Sequence, residues 1–294
     1  MRASPRYAHT FSALLENLPV LLLLIFTVIP AFIGVLYGLL CSVGYFPPAG
    51  QSGFTFAHYS ALWQSGDLWK SLAFTFSIAV VATVLSYIVA FALALLLRET
   101  SRVNKWSAFA LQMPLPFPHI VVAVFTILFW SQSGLISRAL ISLGVISTQE
   151  HFPGFVYDPQ GIGIILVFLW KEVPFLTVVM LAVLLQTGTK YDAVAQSLGA
   201  RGWQRIRYVT MPLVTRGVLP SILLVFTFII GAFEVPLLIG PLYPPMLSVL
   251  TYQRYTTANL ELHGEAFAVS TVVSLLMLLL IGIYKRFEKA VNNG

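Results

Sequence analysis

Three ionisable side chains, Lys171, Glu172 and Glu234, sit inside otherwise apolar runs. Four cations, Lys190, Arg201, Arg205 and Arg207, crowd one polar stretch between two such runs. A charge in hydrocarbon is expensive, so it faces a cavity, a partner charge or a proton path. The chemistry open to the first set is lining or gating a pathway, or mutual neutralisation between packed helices. The second set belongs to segment 189–212, TKYDAVAQSLGARGWQRIRYVTMP. A basic, helix-prone hairpin between apolar runs offers a docking surface; the plainer alternative is a solvated, positively charged loop.

Constellations for bond-making chemistry are missing from the sequence. No GxxxxGK[ST] phosphate loop occurs, and no nucleophile elbow. The five histidines (His9, His58, His119, His151, His263) are scattered without metal-ligand spacing. The single cysteine, Cys41, rules out an internal disulfide. No catalytic residue, metal site or cofactor is therefore expected in this chain. Any energy source must come from a partner or an ion gradient.

The elements that position these charges are membrane helices. Of 294 residues, 58% are hydrophobic and 10% charged, against about 25% charged in soluble domains. Mean hydropathy is +0.86. Six runs approach the roughly 20 residues needed to span a bilayer: 18–42, 72–97, 107–130, 161–186, 217–240 and 266–284. The first is too long for a signal-peptide core and no A-x-A-like site follows it, so it is expected to be retained. An even span number puts both termini on one side. Thirteen of the seventeen Lys and Arg fall on the side of the termini, Arg2, Arg6, Arg98, Arg102 and Arg216 among them; Lys70, Arg138, Lys171 and Arg254 are the exceptions. Cytoplasmic loops carry this excess, so both termini and segment 189–212 are expected inside. The net charge of +6 is then a topology signal and implies no nucleic-acid partner.

Within the hairpin, Thr189-x-x-Asp192 matches a capping box, with Asp192 in the first turn where the helix dipole favours an anion. Ala193, Val194, Ala195 and Leu198 continue a short helix, Gly199 and Gly202 interrupt it, and Trp203 to Tyr208 can form a second. Pro212 is expected to end the unit where the next span begins. Helices this short need a surface to pack against. Elsewhere, Pro114, Pro116 and Pro118 make the start of span three irregular, and His119 beside them reads as a satisfied interfacial histidine. Gly34-x3-Gly38 fits a close-packing face. Trp63, Trp69, Trp106 and Trp130 read as interfacial anchors. Lys171 and Glu172, about 100° apart on a helix, cannot both point at one partner. Neither low-complexity segments nor internal repeats are evident.

Gly199, followed ten residues later by Val209 and thirteen later by Pro212, resembles the Gly-x9-Ile-x-Leu-Pro spacing of the EAA loop in permease subunits of binding-protein-dependent ABC importers. Six spans, the loop between spans four and five, and a Trp170-x3-Pro174-Phe175 break in span four fit the same family over about residues 60–290. The family's acidic residue, six before the glycine, falls on Ala193, with Asp192 one position early; whether Asp192 replaces the usual Glu stays open. PHIVVAVFTILFWSQSGLISR (118–138) and FEVPLLIG (233–240) are most similar to the branch handling thiamine, ferric iron and polyamines.

The resemblance implies an all-α membrane protein with the six-helix type I (methionine-importer-like) permease fold. Its parts would be a cytoplasmic N-terminal segment 1–17, a transmembrane domain 18–285 and a cytoplasmic tail 286–294. It also implies a coupling surface at Asp192, Ala193, Ala195, Gly199, Ala200, Arg205 and Pro212, seated on a cytosolic ABC ATPase dimer that hydrolyses the ATP. A second permease subunit (identical or not) and an external solute-binding protein complete the assembly in a bacterial or archaeal cytoplasmic membrane. Lys171, Glu172 and Glu234 become candidates for the translocation pathway. Cargo would be polyamine, ferric iron, thiamine or a similar small solute. The rival class is an ion-gradient-driven secondary transporter, which uses midplane ionisable residues and often two related halves. Transport that survives ATP depletion but collapses with the ion gradient would mark it.

Overall fold

The computed structural model describes residues 18–98 and 105–292. Segment 1–17, with Arg2, Arg6 and His9, and residues 99–104, with Arg102, lie outside the described residues. Among these, the ordered elements are helices: α1 (Leu18–Ser42), α2 (Ala57–Ser65), α3 (Asp67–Leu97), α4 (Lys105–Gln112), α5 (His119–Trp130), α6 (Leu135–Ser142), α7 (Ile162–Val183), α8 (Thr189–Ser197), α9 (Gly202–Arg205), α10 (Met211–Gly231), α11 (Glu234–Ile239), α12 (Leu247–Tyr255) and α13 (Glu261–Asn292). Six helical stretches among the described residues are long and apolar enough to cross a membrane.

The chain divides into two compact units. In the unit formed by 66–250, α7 is the centre: 56% of its apolar window is buried, the largest share of the six. It packs against α3, α5, α10 and α11. The sequence reason lies largely on α3. Its buried residues include Ser71, Thr75, Ala79, Ala82, Ser86, Ala90 and Ala94, three or four apart, so one face is made of small side chains. With no hydrophobic drive between helices in lipid, such faces let backbones approach and gain dispersion contact. Ile164, Val167, Phe168, Leu176 and Met180 of α7 are each fully buried. Gly217 of α10 lets Val183 close in, since a Cβ there would lie 2.9 Å from its side chain. The start of α7 is fixed by Asp158, whose Oδ2 accepts the Gln160 and Ile162 N–H groups and whose Oδ1 accepts that of Gly163.

In the unit formed by 1–65 and 251–294, α1 and α2 both pack on α13. Tyr37, Phe46, Tyr255, His263 and Phe267 form an aromatic cluster. Gly264 has no room for a side chain, because the His58 ring lies against it. Arg254 pairs with Glu265 at 3.4 Å.

Several spans differ from the hydropathy reading, and prolines explain most differences. Span three is not a helix over 107–130. The chain leaves α4 at Gln112, runs non-helically past Pro114, Pro116 and Pro118, and resumes at His119 from an extended Pro118 (φ −60°, ψ 145°). Three residues without N–H in five cannot sustain an i→i−4 ladder. Span four shows the opposite: α7 runs through Pro174 without a break, and the irregularity falls later, as a π-turn at Leu184–Gly188. Pro212 does not end the hairpin unit either. A π-turn at Ile206–Thr210 joins α9 to α10, and the Met211 N–H donates to the Ile206 carbonyl five residues back. That wider register accommodates a proline that has no N–H to offer Tyr208. Pro30 in α1 stands in the same relation to the π-turn Leu24–Val28. Span five stops at Gly231, because Ala232 is extended (ψ 135°), and Glu234 opens the separate helix α11.

Candidate coupling hairpin and intramembrane charges

The turn of the hairpin is a Schellman motif. Gly199 adopts φ +83°, the left-handed region that favours glycine. Its N–H donates to the Gln196 carbonyl (3.0 Å) and the Ala200 N–H to that of Ala195 (3.0 Å). These bonds satisfy two of the carbonyls a helix end orphans. Ala195, 8% exposed, is the small side chain tucked under this turn, with Ala200 half-buried beside it. Arg201 then extends, its N–H donating to Gln204 Oε1 at 2.8 Å, and opens α9. Arg205 is half-buried, while Ala193 and Pro212 are exposed. Backbone at Thr189 and Asp192 is helical, but their side chains, like that of Lys190, lie outside what is described, so the expected capping box receives no structural account.

The outward face of the hairpin is apolar. Tyr191, Val194 and Leu198 are 56%, 59% and 83% exposed, and their spacing of three and four places them on one side of α8. Past the turn, Trp203 (73%) and Tyr208 (75%) are exposed as well, as are Arg201 and Arg207. Exposed apolar side chains at helical spacing on a polar, cationic segment make this a candidate surface for another protein. The resemblance points to the turn residues as the coupling surface; of these five exposed apolar side chains, Val194, Leu198, Trp203 and Tyr208 are expected only as parts of the two short helices, and Tyr191 is not singled out. The i, i+3, i+7 spacing of Tyr191, Val194 and Leu198 was the signal available.

Inside the membrane region, Lys171 and Glu172 do different work, as their angular separation requires. Lys171 is 6% exposed. Its Nζ donates to the carbonyls of Pro114 (2.9 Å), Leu115 (2.9 Å) and Phe117 (2.7 Å). An ammonium has three donors, so all are used, and Lys171 is no partner for Glu234. The cause is in the loop: Pro118 has no N–H for the Pro114 carbonyl, and the extended backbone there strands its neighbours. Unmet carbonyls at membrane depth cost several kcal/mol each, by the rough scale of polar burial. Glu172, 7% exposed, faces the other end of the loop, with Oε1 3.2 Å from His119 Nε2. With its proton on Nε2, His119 donates to the carboxylate. Its ring also lies 4.8 Å from that of Phe228 on α10 and 6.1 Å from that of Phe168 on α7. His119 is therefore satisfied, but between packed helices.

The held loop forms one wall of an apolar cavity of 860 Å³, where Met113, Pro114 and Phe117 face Val89, Phe125 and Trp170. Glu234 lies elsewhere: it is exposed, the first residue of α11, where the helix dipole favours its charge. The three intramembrane candidates thus separate into a buried pair that fastens a loop and one exposed carboxylate.

Comparison with known proteins points one way. The family described as binding-protein-dependent transport system inner membrane component matches residues 86–293. The chain is similar to the inner membrane ABC transporter permease protein YdcU of Escherichia coli K12, 29% identical over 225 residues covering 73% of this chain and 69% of that one. It is similar to YnjC of the same organism, also named as an inner membrane ABC transporter permease protein (25% identical, 77% of this chain, 42% of that one). It is also similar to the thiamine transport system permease protein ThiP of Escherichia coli K12 (26% identical, 80% of this chain, 42% of that one). The chain thus spans about two fifths of the length of YnjC and ThiP. In three dimensions it shares the fold of a chain of a bacterial ABC transporter involved in alginate import, with TM-score 0.71, 19% identity and 97% and 96% of the two chains covered.

Proposed function

This chain belongs to the family of binding-protein-dependent transport system inner membrane components, and from that premise we propose that it is the permease subunit of an ATP-driven importer of a small solute. The single observation that carries the reading is the exposed apolar stripe of Tyr191, Val194 and Leu198 on a hairpin joining two membrane spans. In this reading the stripe is the contact for a cytosolic ATPase dimer. The hairpin and both termini face the cytoplasm, in keeping with thirteen of seventeen Lys and Arg on that side. A second permease subunit completes the pathway, and an external binding protein delivers the cargo. ATP-driven closure of the ATPases biases a two-state equilibrium between inward-open and outward-open forms. Thiamine, ferric iron, polyamines and similar small solutes are the proposed cargo range; the naming of ThiP as a thiamine system permease supports it.

Uptake into proteoliposomes carrying the purified complex and its binding protein tests this. Uptake should stop without ATP and survive collapse of the ion gradients; the reverse pattern would refute the reading. Glu234 is proposed to line the pathway, because its carboxylate is exposed at the start of α11, just beyond the end of α10. Glu234→Gln is expected to lower uptake several-fold with complex yield unchanged. Normal uptake at normal yield removes Glu234 from the pathway.

A further inference from the structure

We infer that Lys171 is a positioning residue that transmits hairpin motion to the break in span three, its ammonium acting as a tethered cation in a cage of backbone carbonyls. Broken membrane helices expose carbonyls that can hold a cation. Here the Pro114, Leu115 and Phe117 carbonyls converge on one ammonium at 2.9, 2.9 and 2.7 Å, and that ammonium belongs to the chain itself. Glu172, the next residue, takes the far end of the same loop through His119. Two adjacent side chains on α7 therefore grip both ends of the break.

The grip has a direction. Through the π-turn Leu184–Gly188, α7 runs directly into hairpin helix α8. Beyond the loop, α5 packs against α11, which carries Glu234. A displacement of the hairpin reaches α7 along the backbone, and Lys171 is where α7 holds the loop. Losing the ammonium strands three carbonyls and releases the loop, which lets α7 move without carrying α5.

This inference rests on reading the hairpin as the ATPase contact, so the experiment separates the two. The full complex, with Cys41→Ser, carries a single cysteine at Leu115→Cys or at Leu198→Cys, and N-ethylmaleimide labelling is timed without nucleotide and with ATP plus vanadate. The unaltered Lys171 complex should show several-fold different rates between the two states at both positions. With Lys171→Met, the nucleotide dependence at 115 should be lost and the rate raised, while that at 198 and ATPase co-purification persist. Lys171→Arg, which keeps cationic donors, should restore the dependence; a merely structural role would not tie loop labelling to nucleotide. Should Lys171→Met fail to assemble, adding Pro118→Ala, which returns an N–H to the Pro114 carbonyl, should recover assembly. Retained nucleotide dependence at 115 in Lys171→Met, or no recovery by Pro118→Ala, overturns the inference. Nucleotide dependence at 198 but none at 115 in the Lys171 complex overturns it alone, and none at either position overturns it together with the ATPase-contact reading.

Discussion

The double substitution Leu198→Asp, Trp203→Asp is expected to abolish co-purification of the ATPase subunit while leaving the permease folded. Both side chains are largely exposed, 83% and 73%, so neither supports the core of this chain. Large apolar side chains at an interface centre cost about 2 kcal/mol or more each when removed, and buried aspartates add desolvation. Together that is about 4 kcal/mol, roughly a thousand-fold in affinity. Size-exclusion profile and melting behaviour in detergent should match the unmodified chain. Gly199→Trp works by another route. A Cβ at Gly199 meets nothing within 4 Å, so the cost comes from its φ of +83°, which strains any side chain and re-aims Ala200 and Arg201. It should weaken the same contact by a smaller factor, since the strain is about 1–2 kcal/mol. Wild-type co-purification and uptake in both variants would remove the hairpin from the ATPase contact.

Sidedness gives the second large effect, because it is all or none. In a Cys41→Ser background, a cysteine at Leu198 should react with a membrane-impermeant maleimide only in inverted vesicles stripped of the ATPase. Cysteines at Thr55 and Glu150, both exposed, should react only in intact cells. The physical basis is the Lys and Arg asymmetry, each cation resisting transfer across the bilayer during insertion. Labelling of the position 198 cysteine in intact cells would reverse the orientation, and with it every assignment of inside and outside.

How much was legible in the sequence depended on which atoms carry each feature. Six apolar runs and a polar, basic hairpin are side-chain patterns, and they survive in the fold as six candidate spans and helices α8 and α9. Gly199 was legible as a break, and the structure adds the reason: left-handed geometry that closes the Schellman bonds. Hydropathy does not register where a helix stops inside an apolar run. Glu234 was therefore assigned to span five, although Ala232 breaks the helix before it. Prolines gave mixed signals, because a proline's effect depends on its surroundings. Pro174 is absorbed within a buried helix, Pro212 within a π-turn, and only the run Pro114, Pro116, Pro118 unwinds the chain. The partners of Lys171 are the least legible of all. They are backbone carbonyls, which every residue has, so no residue type announces them. Mutual neutralisation by a carboxylate is one expectation from the sequence; the carbonyls of the proline loop take that place.

The central claim, that the hairpin seats on an ATPase, is tested most directly by a photoreactive benzoylphenylalanine at Leu198 in the assembled complex. Irradiation should give one dominant product, joining this chain to the nucleotide-binding subunit, with its yield changed by ATP plus vanadate. Crosslinks to lipid or water quenching alone, in a complex that still hydrolyses ATP, would contradict it.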